Sequence, residues 1–438
     1  MGGLGRPFLN KYRIHCLKEV KMADKKKVLV IGGGFSGLTT AVETAEAGFD
    51  TIIVEKTAFL GGRVAQLNKY FPKLCPPNCG LEINFKRIKK NADIAFHTLA
   101  EVESITGQEG NFNVTVKLTP RYVNDKCTGC NACNEVCPVE MPNEFNFGLD
   151  KTKAAHIIHN QAFPFKYVID GQYCKGKACA KCVEACKYDA IDLDMKPETV
   201  TLNVASVVLA AGWEPYDISK LDNLGGGNIK NVITNMQMER LASVNGPTSG
   251  KILRPSDGKE PGNIAFVQCA GSRDENHLPY CSYICCMASL KQATYVREQY
   301  PDSKVRIFYI DIRTPGRYEQ FYWKVKDDPG VTLTKGKVAR ITEDTATGDV
   351  ELVVEDIFAG SKITEKYDMV VLAAGMVPST KASKIPGEIS YTHEGFVVPS
   401  FLKKGMFAVG SLKSPVDVAK SVQDATGAAI KTIQSARR

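Results

Sequence analysis

Twelve of the fifteen cysteines in this chain fall into three groups whose spacing suits iron and sulfide. The first, Cys127, Cys130, Cys133 and Cys137 followed by Pro138, has the bacterial ferredoxin pattern C-x2-C-x2-C-x3-C-P. In that pattern three thiolates hold one cubane and the fourth reaches a neighbouring one. Cys127, Cys130 and Cys133 would thus join Cys186 on one 4Fe-4S cluster. Cys174, Cys179 and Cys182 would join Cys137 on a second, although the gap of four between Cys174 and Cys179 is looser than usual. Paired C-x2-C also binds zinc, but zinc requires neither four evenly phased cysteines nor the trailing proline. The third group is Cys269, Cys281, Cys285 and Cys286. Its spacing alone leaves buried thiols, a vicinal disulfide and metal ligation all open.

The elements that would position these sulfurs begin at Lys27, where strand, glycine turn, helix and strand follow in VLVIGGGFSGLTTAVETAEAGFDTIIVEK. Gly32, Gly34 and Gly37 match G-x-G-x-x-G: one glycine for the tight turn, one for close approach of a pyrophosphate, one for helix packing. Phe35 and Ser36 open the helix whose amino end would face the phosphates. Glu55, followed by Lys56, closes the next strand where a carboxylate accepts from ribose hydroxyls. Further on stand Gly61-Gly62-Arg63 with Gln66, Val102, the segment VASVVLAAGWEP around Gly212, and GMFAVGSLKSPVDVAK near the C-terminus. These resemble the FAD-binding half of two-dinucleotide-domain flavoproteins, in which the end of the chain closes the FAD domain. The resemblance implies contacts at Gly62, Arg63, Gln66, Val102, Gly212, Gly410 and Ser411, with a helix start at Val416, Asp417 and Val418 capping the flavin. The family's aspartate after the glycine is replaced here by Ser411.

A second segment, Gly262 to Gly375, starts with NIAFVQ and ends in YDMVVLAAGMVPS, an echo of VASVVLAAGWEP. Such a repeat is expected of a duplicated nucleotide-binding fold. Its own glycine triplet is eroded to Cys269-Ala270-Gly271-Ser272-Arg273, which argues against tight nicotinamide binding.

The expected fold class is α/β: a two-dinucleotide-binding-domain flavoprotein, with an FAD Rossmann-like domain, a degenerate NAD(P)-like domain and an inserted α+β two-cluster ferredoxin module. The expected boundaries are a basic, disordered or start-site-artefact extension at 1–24, FAD domain at 25–120, ferredoxin insert at 121–194, FAD domain again at 195–261, degenerate domain at 262–375 and FAD domain at 376–438. Of the formal charge of +8, half comes from residues 1–21, a lone basic stretch of the kind that is usually solvated, so nucleic acid is not an expected partner. No apolar run reaches membrane-spanning length, and the cysteine usage favours a reducing compartment.

The loop CAGSRDENHLPYCSYICC, with Asp311-Ile312-Arg313-Thr314 and the Gly61-Gly62-Arg63/Gln66 segment, resembles the A subunit of heterodisulfide reductase over residues 25 to 438. The resemblance implies that Cys269, Cys281, Cys285 and Cys286 hold a further 4Fe-4S cluster near the flavin. Longer family members carry additional ferredoxin motifs after the FAD-closing segment. Without these, the chain is similar to the A subunit of the quinone-interacting membrane-bound oxidoreductase complex, and LCPPNCGLEINFKR fits that short branch. This implies a cytoplasmic protein attached to the membrane only through partners. Those partners would be a flavoprotein B subunit, plus a haem-bearing membrane subunit, with adenylylsulfate reductase as electron partner and menaquinone at the other end. The alternatives are an NAD(P)H-dependent disulfide reductase and a bifurcating subunit of the heterodisulfide reductase type. Cys75 and Cys79 stand open between a structural role and a redox pair or flavin-side ligands. No other catalytic residues are expected, because cofactors would carry the chemistry.

Overall fold

The computed structural model describes residues 25–438; the expected basic extension lies outside them. The hydrophobic run after Lys25 forms the strand Lys27–Ile31, central in a five-stranded parallel sheet ordered Met406–Ala408, Ser206–Leu209, Lys27–Ile31, Asp50–Glu55, Ile94–Thr98. Such a sheet must be covered on both faces. Helix α1, Phe35–Glu46, covers one face with α2, Asn78–Lys90, beside it. The C-terminal helix, Val418–Arg437, packs on α1 through small residues, and Thr40 Oγ1 reaches the Ala425 carbonyl at 3.4 Å. The opposite face meets a three-stranded antiparallel sheet of Ala100–Gln108, Asn111–Leu118 and Glu198–Val204.

The last two strands of that antiparallel sheet pair with Leu118 opposite Glu198. Residues 119–197 leave and return at this one spot, where an insertion costs the host little. The inserted module is small and pseudosymmetric. Helix α3, Ala132–Val136, and helix α4, Lys181–Ala185, each follow a left-handed residue, Asn131 and Ala180, and the module's core takes in Cys133, Cys137 and Cys182.

Two antiparallel crossing strands, Trp213–Pro215 and Met376–Pro378, lead into and out of the second domain. Its seven-stranded sheet runs Val232–Thr234, Met369–Ala374, Asn263–Ala270, Lys304–Tyr309, Val331–Glu343, Val350–Asp356, Ser361–Tyr367. The first five strands are parallel and the last two return as a meander. Helices α5, Asn235–Ala242, α6, Cys285–Gln299, and α7, Glu319–Lys326, cover it; α8, Val418–Arg437, ends the chain in the first domain.

The expected boundary at 262 needs correcting. Val232–Thr234 pairs with Met369–Ala374, so the second domain begins ahead of Gly262, just after the first crossing strand. A three-residue strand carries too little periodicity to be seen in sequence.

Three modules meet at α5. Its Thr234 caps the helix reciprocally with Gln237, fixing the angle at which two buried ions, Glu239 and Arg240, project. Glu239 pairs with Lys291 at 3.0 Å and accepts from Gln292 and from the Asn68 backbone N–H. Arg240, 2 % exposed, donates to Asn146 Oδ1 of the insert at 2.8 Å, to the Gln66 carbonyl at 3.3 Å and to the Asn245 carbonyl at 2.9 Å. Breaking a buried charge contact of this kind costs several kcal/mol, so the pair acts as a lock on domain arrangement.

Candidate cofactor sites

The glycine turn has the form a dinucleotide requires. Gly32 has a φ of +112°, and a Cβ there would meet the Ala210 carbonyl oxygen at 2.3 Å. A Cβ on Gly37 would lie 1.9 Å from the Gly32 oxygen. Glycine alone lets the end of Ser206–Leu209, the turn and α1 approach this closely. Phe35 and Ser36 begin α1 behind the N-cap Gly34, and the Gly61 N–H donates to the Gly33 carbonyl, with Gly62 packed against Gly34. Two glycine segments therefore face each other across an open α1 amino end, which can bind a pyrophosphate through backbone N–H groups.

Glu55 is tied more closely to its own chain than the sequence suggests. Its Oε2 accepts from the Gly33 N–H at 2.6 Å, and its Oε1 accepts from the N–H and the hydroxyl of Thr57, both at 2.8 Å. It braces the turn and keeps one lone pair for a ribose hydroxyl. Lys56 turns outward to Glu101. Val102 stands beside a β-bulge at the edge of the host core.

Arg63 and Gln66, expected to touch the cofactor, also join modules. Arg63 donates to the Trp213 carbonyl at 3.1 Å and to Gln66 Oε1 at 3.0 Å, and it pairs with Glu214. Burial lowers its pKa to about 10. Gln66 donates to the Phe145 carbonyl of the insert at 3.1 Å.

Gly212, at φ +73°, follows the strand that ends at the glycine turn. Gly410, at φ +65°, lies against Ser36, and its neighbour Ser411 is buried. A carboxylate does reach this glycine. Asp424, one helix later, accepts from the Gly410 N–H at 2.7 Å and pairs with Lys413. Val416 precedes Asp417, which caps α8 by accepting from the Lys420 N–H at 2.8 Å, and Val418 is the first helical residue.

The cysteines gather as two sets in the insert. Cys127, Cys130, Cys133 and Cys186 line a single cavity, closed by Val123, Tyr167 and Ile191. Burial, then Cys127, pushes the Cys133 thiol up to about 12. Cys182 is also raised by burial, with Cys174 and Cys137 as its neighbours; Cys179 is half-buried. Cys133 and Cys182 are mutual neighbours, so the two sets adjoin. Among the described residues no three His, Cys, Asp or Glu side chains meet as a single ion requires; the sulfurs of the first set line a cavity instead. Desolvated thiols that disfavour ionisation in one another's presence become stable thiolates only around a cation, which fits a cluster.

The third set forms at a defect in the second sheet. Pairing between Asn263–Ala270 and Met369–Ala374 slips between Val267 and Ala270, and Cys269 takes a φ of +56°. The bulge re-aims this side chain. Cys281 stands next to the Ser272–Ser282 hydroxyl pair, 2.7 Å apart, which packs on Gly375. Cys285 and Cys286 open α6. Burial, then Cys286, pushes the Cys269 thiol up to about 11, and Cys285 lies close to Cys269, Cys286 and Cys281. Asp311, bridging Arg273 and Arg313, walls the other side. The echoed A-A-G therefore packs on a dinucleotide turn in one domain and on a cysteine loop in the other. This loop reaches the first site, since Lys420 of α8 sits 4.4 Å from the Tyr283 ring centroid.

Cys75 and Cys79 lie together outside all three sets. Burial, then Cys79, pushes the Cys75 thiol up, and Tyr70 is a further neighbour of both.

Residues 27–76 match the FAD dependent oxidoreductase family, and residues 120–142 match the 4Fe-4S binding domain. Over 95% of its length the chain is 40% identical to the second A-type iron-sulfur subunit of CoB--CoM heterodisulfide reductase from Methanopyrus kandleri. It is 39% identical, again over 95%, to the A subunit of the H(2):CoB-CoM heterodisulfide,ferredoxin reductase of Methanothermobacter thermautotrophicus. Over most of its length the chain is thus similar to the heterodisulfide reductase A subunit. It spans 65% and 64% of those two relatives. Among solved structures, T. acidophilum thioredoxin reductase superposes with a TM-score of 0.51 at 15% identity, covering 94% of this chain and 100% of its own. That likeness establishes the two-domain flavoprotein fold of this chain. Its cofactors are FAD and 4Fe-4S clusters.

Proposed function

We propose that this chain is an electron-transfer oxidoreductase subunit that links an FAD site to three 4Fe-4S sites inside a larger complex. The observation that supports the reading is the cavity lined by Cys127, Cys130, Cys133 and Cys186, with Cys269, Cys281, Cys285 and Cys286 neighbouring one another in a loop that touches α8 of the FAD domain. Bound FAD supplies one- and two-electron chemistry, and each cluster supplies one-electron relay. The glycine turn and the α1 amino end bind the pyrophosphate, with Glu55 bracing the turn. Asp424 fixes Gly410, and Asp417 sets the start of α8 against the flavin. Cys127, Cys130, Cys133 and Cys186 hold the first cluster, Cys174, Cys179, Cys182 and Cys137 the second, and Cys269, Cys281, Cys285 and Cys286 the third. The Ser272–Ser282 pair, the Cys281 contact with the Tyr283 N–H at 3.4 Å and the buried walls tune the third set.

We assign the complex to the quinone-linked class. In this reading a flavoprotein B subunit, together with a haem-bearing membrane subunit, connects the chain to menaquinone, and adenylylsulfate reductase exchanges electrons with it. Among the described residues no helix is long and apolar enough to cross a membrane, so contact with quinone falls to a partner. The bulge at Cys269, standing where a second phosphate-binding turn would be, weighs against direct reduction by NAD(P)H.

The test is anaerobic purification with bound partners, with iron, sulfide and flavin quantified for each polypeptide. About twelve iron atoms and one FAD are expected on this chain, together with co-purifying adenylylsulfate reductase. Four or eight iron atoms would remove one or two sets; a hydrogenase in place of adenylylsulfate reductase would replace the quinone-linked assignment with the bifurcating one.

A further inference from the structure

The segment between the glycine turn and α2 holds two cysteines that no cluster set uses. Cys75 is half-buried and Cys79 is exposed in the first turn of α2. Pro76 and Pro77 fill the tight turn between them, closed by the Cys79 N–H donating to the Pro76 carbonyl at 3.0 Å. The two thiols are electrostatic neighbours, and the Tyr70 side chain is a further neighbour of the inner one. Tyr70 is held there from both directions: its backbone N–H bonds to the Cys75 carbonyl at 3.1 Å, and its ring lies 6.1 Å from that of Phe35. A Cβ on Gly80 would meet the Tyr70 hydroxyl at 2.2 Å and the Phe35 ring at 3.1 Å. Glycine at 80 therefore permits a tyrosine, two thiols and the first residue of α1 to share one space. The neighbouring Phe71 stacks on Tyr318 and Phe321 of the second domain, with centroids 4.8 and 5.2 Å apart, which anchors the segment.

We infer that Cys75 and Cys79 form a reversible dithiol–disulfide couple that exchanges two electrons with a low-molecular-weight disulfide. Exposure makes the Cys79 thiolate the attacking group. It forms a mixed disulfide with one sulfur of the substrate and expels the other, which takes a proton from solvent. The Cys75 thiol then loses its proton, attacks Cys79 Sγ and releases the second substrate sulfur as a thiol. The couple is thereby oxidised by two electrons while one disulfide becomes two thiols. Reduced dithiothreitol reverses the change. Tyr70 is a positioning residue that holds Cys75 on the line of attack.

The test uses the anaerobically purified holoprotein, equilibrated with glutathione and glutathione disulfide at graded ratios, alkylated, digested and read by mass spectrometry. The expected result is one peptide pair, containing Cys75 and Cys79, that passes reversibly between two alkylated thiols and one disulfide. Cys75→Ser is expected to accumulate glutathione on Cys79, and Cys79→Ser to leave Cys75 largely unmodified. Both variants are expected to keep wild-type iron and flavin content. Independent alkylation of the two residues at every ratio, or glutathione retained on Cys79 in the wild type, would overturn the inference. So would loss of about four iron atoms in either variant, which would make the pair cluster ligands. Because the readout is thiol state, it is separate from the assignment of the three cluster sets.

Discussion

Mild acid should loosen the junction between the ferredoxin insert and the FAD domain through one imidazole. His159 stacks on Phe145, with centroids 4.7 Å apart, and meets Phe59 edge-on at 5.4 Å. Arg240 lies over the same Phe145 ring at 4.7 Å. Burial first, and then Arg240, lowers the His159 pKa from 6.5 to about 4. Geometry agrees: His159 Nδ1 accepts from the Gln161 N–H at 3.3 Å, so a second ring proton would face a donor. The folded value lies below the unfolded one, so this contribution is fully present above about pH 6.5 and is lost as the pH falls toward 4. At pH 5 linkage gives a loss of about 2 kcal/mol, or roughly 30-fold in the opening equilibrium. Hydrogen exchange on the holoprotein measures this locally, where a single global unfolding energy would be ill-defined for three modules. After correction for intrinsic rates, amides around Phe59, Phe145 and Ala162 should lose that protection between pH 7.5 and 5, and His159→Leu should not show the slope. Unchanged protection at pH 5, or an equal slope in His159→Leu, would refute the reasoning.

Arg240→Ala strands three buried acceptors, in Gln66, Asn146 and Asn245. It should weaken the same junction by about 3–5 kcal/mol, seen as rapid proteolysis within 143–150 while the second domain stays protected. Gly37→Ala puts a methyl group 1.9 Å from the Gly32 oxygen and should abolish flavin retention, read as loss of the yellow chromophore with iron content intact. Cys133→Ser should lower iron by about four atoms per chain and leave flavin stoichiometry unchanged.

The strongest signals in the sequence were those in which backbone geometry admits few residue types. The turn at Gly32 and Gly37 leaves no room for a side chain, and the capped start of α8 at Asp417 needed only a polar residue before a long amphipathic run. The ferredoxin cysteines were legible because a cubane constrains loop length. What escaped was set by tertiary contact. Nothing local announces that Arg63 and Gln66 also have partners at Trp213 and Phe145. Asp424 is separated from Gly410 by a turn and part of a helix, so no motif could pair them. Glu239 and Arg240 resemble an ordinary solvated stretch of helix until Lys291, Asn146 and the Asn68 backbone close around them. Val232–Thr234 gains its identity as a strand only from Met369–Ala374 alongside.

The ladder that sets Leu118 opposite Glu198 has a consequence for heredity as well as for stability. The host's two severed ends already stand side by side, so a short hairpin could replace residues 119–197 with little loop-closure penalty. The iron-bearing module resembles a cartridge pushed into a socket, with Arg240 as its latch. A flavoprotein lacking such a cartridge could acquire one in a single genetic event and refine the latch afterwards.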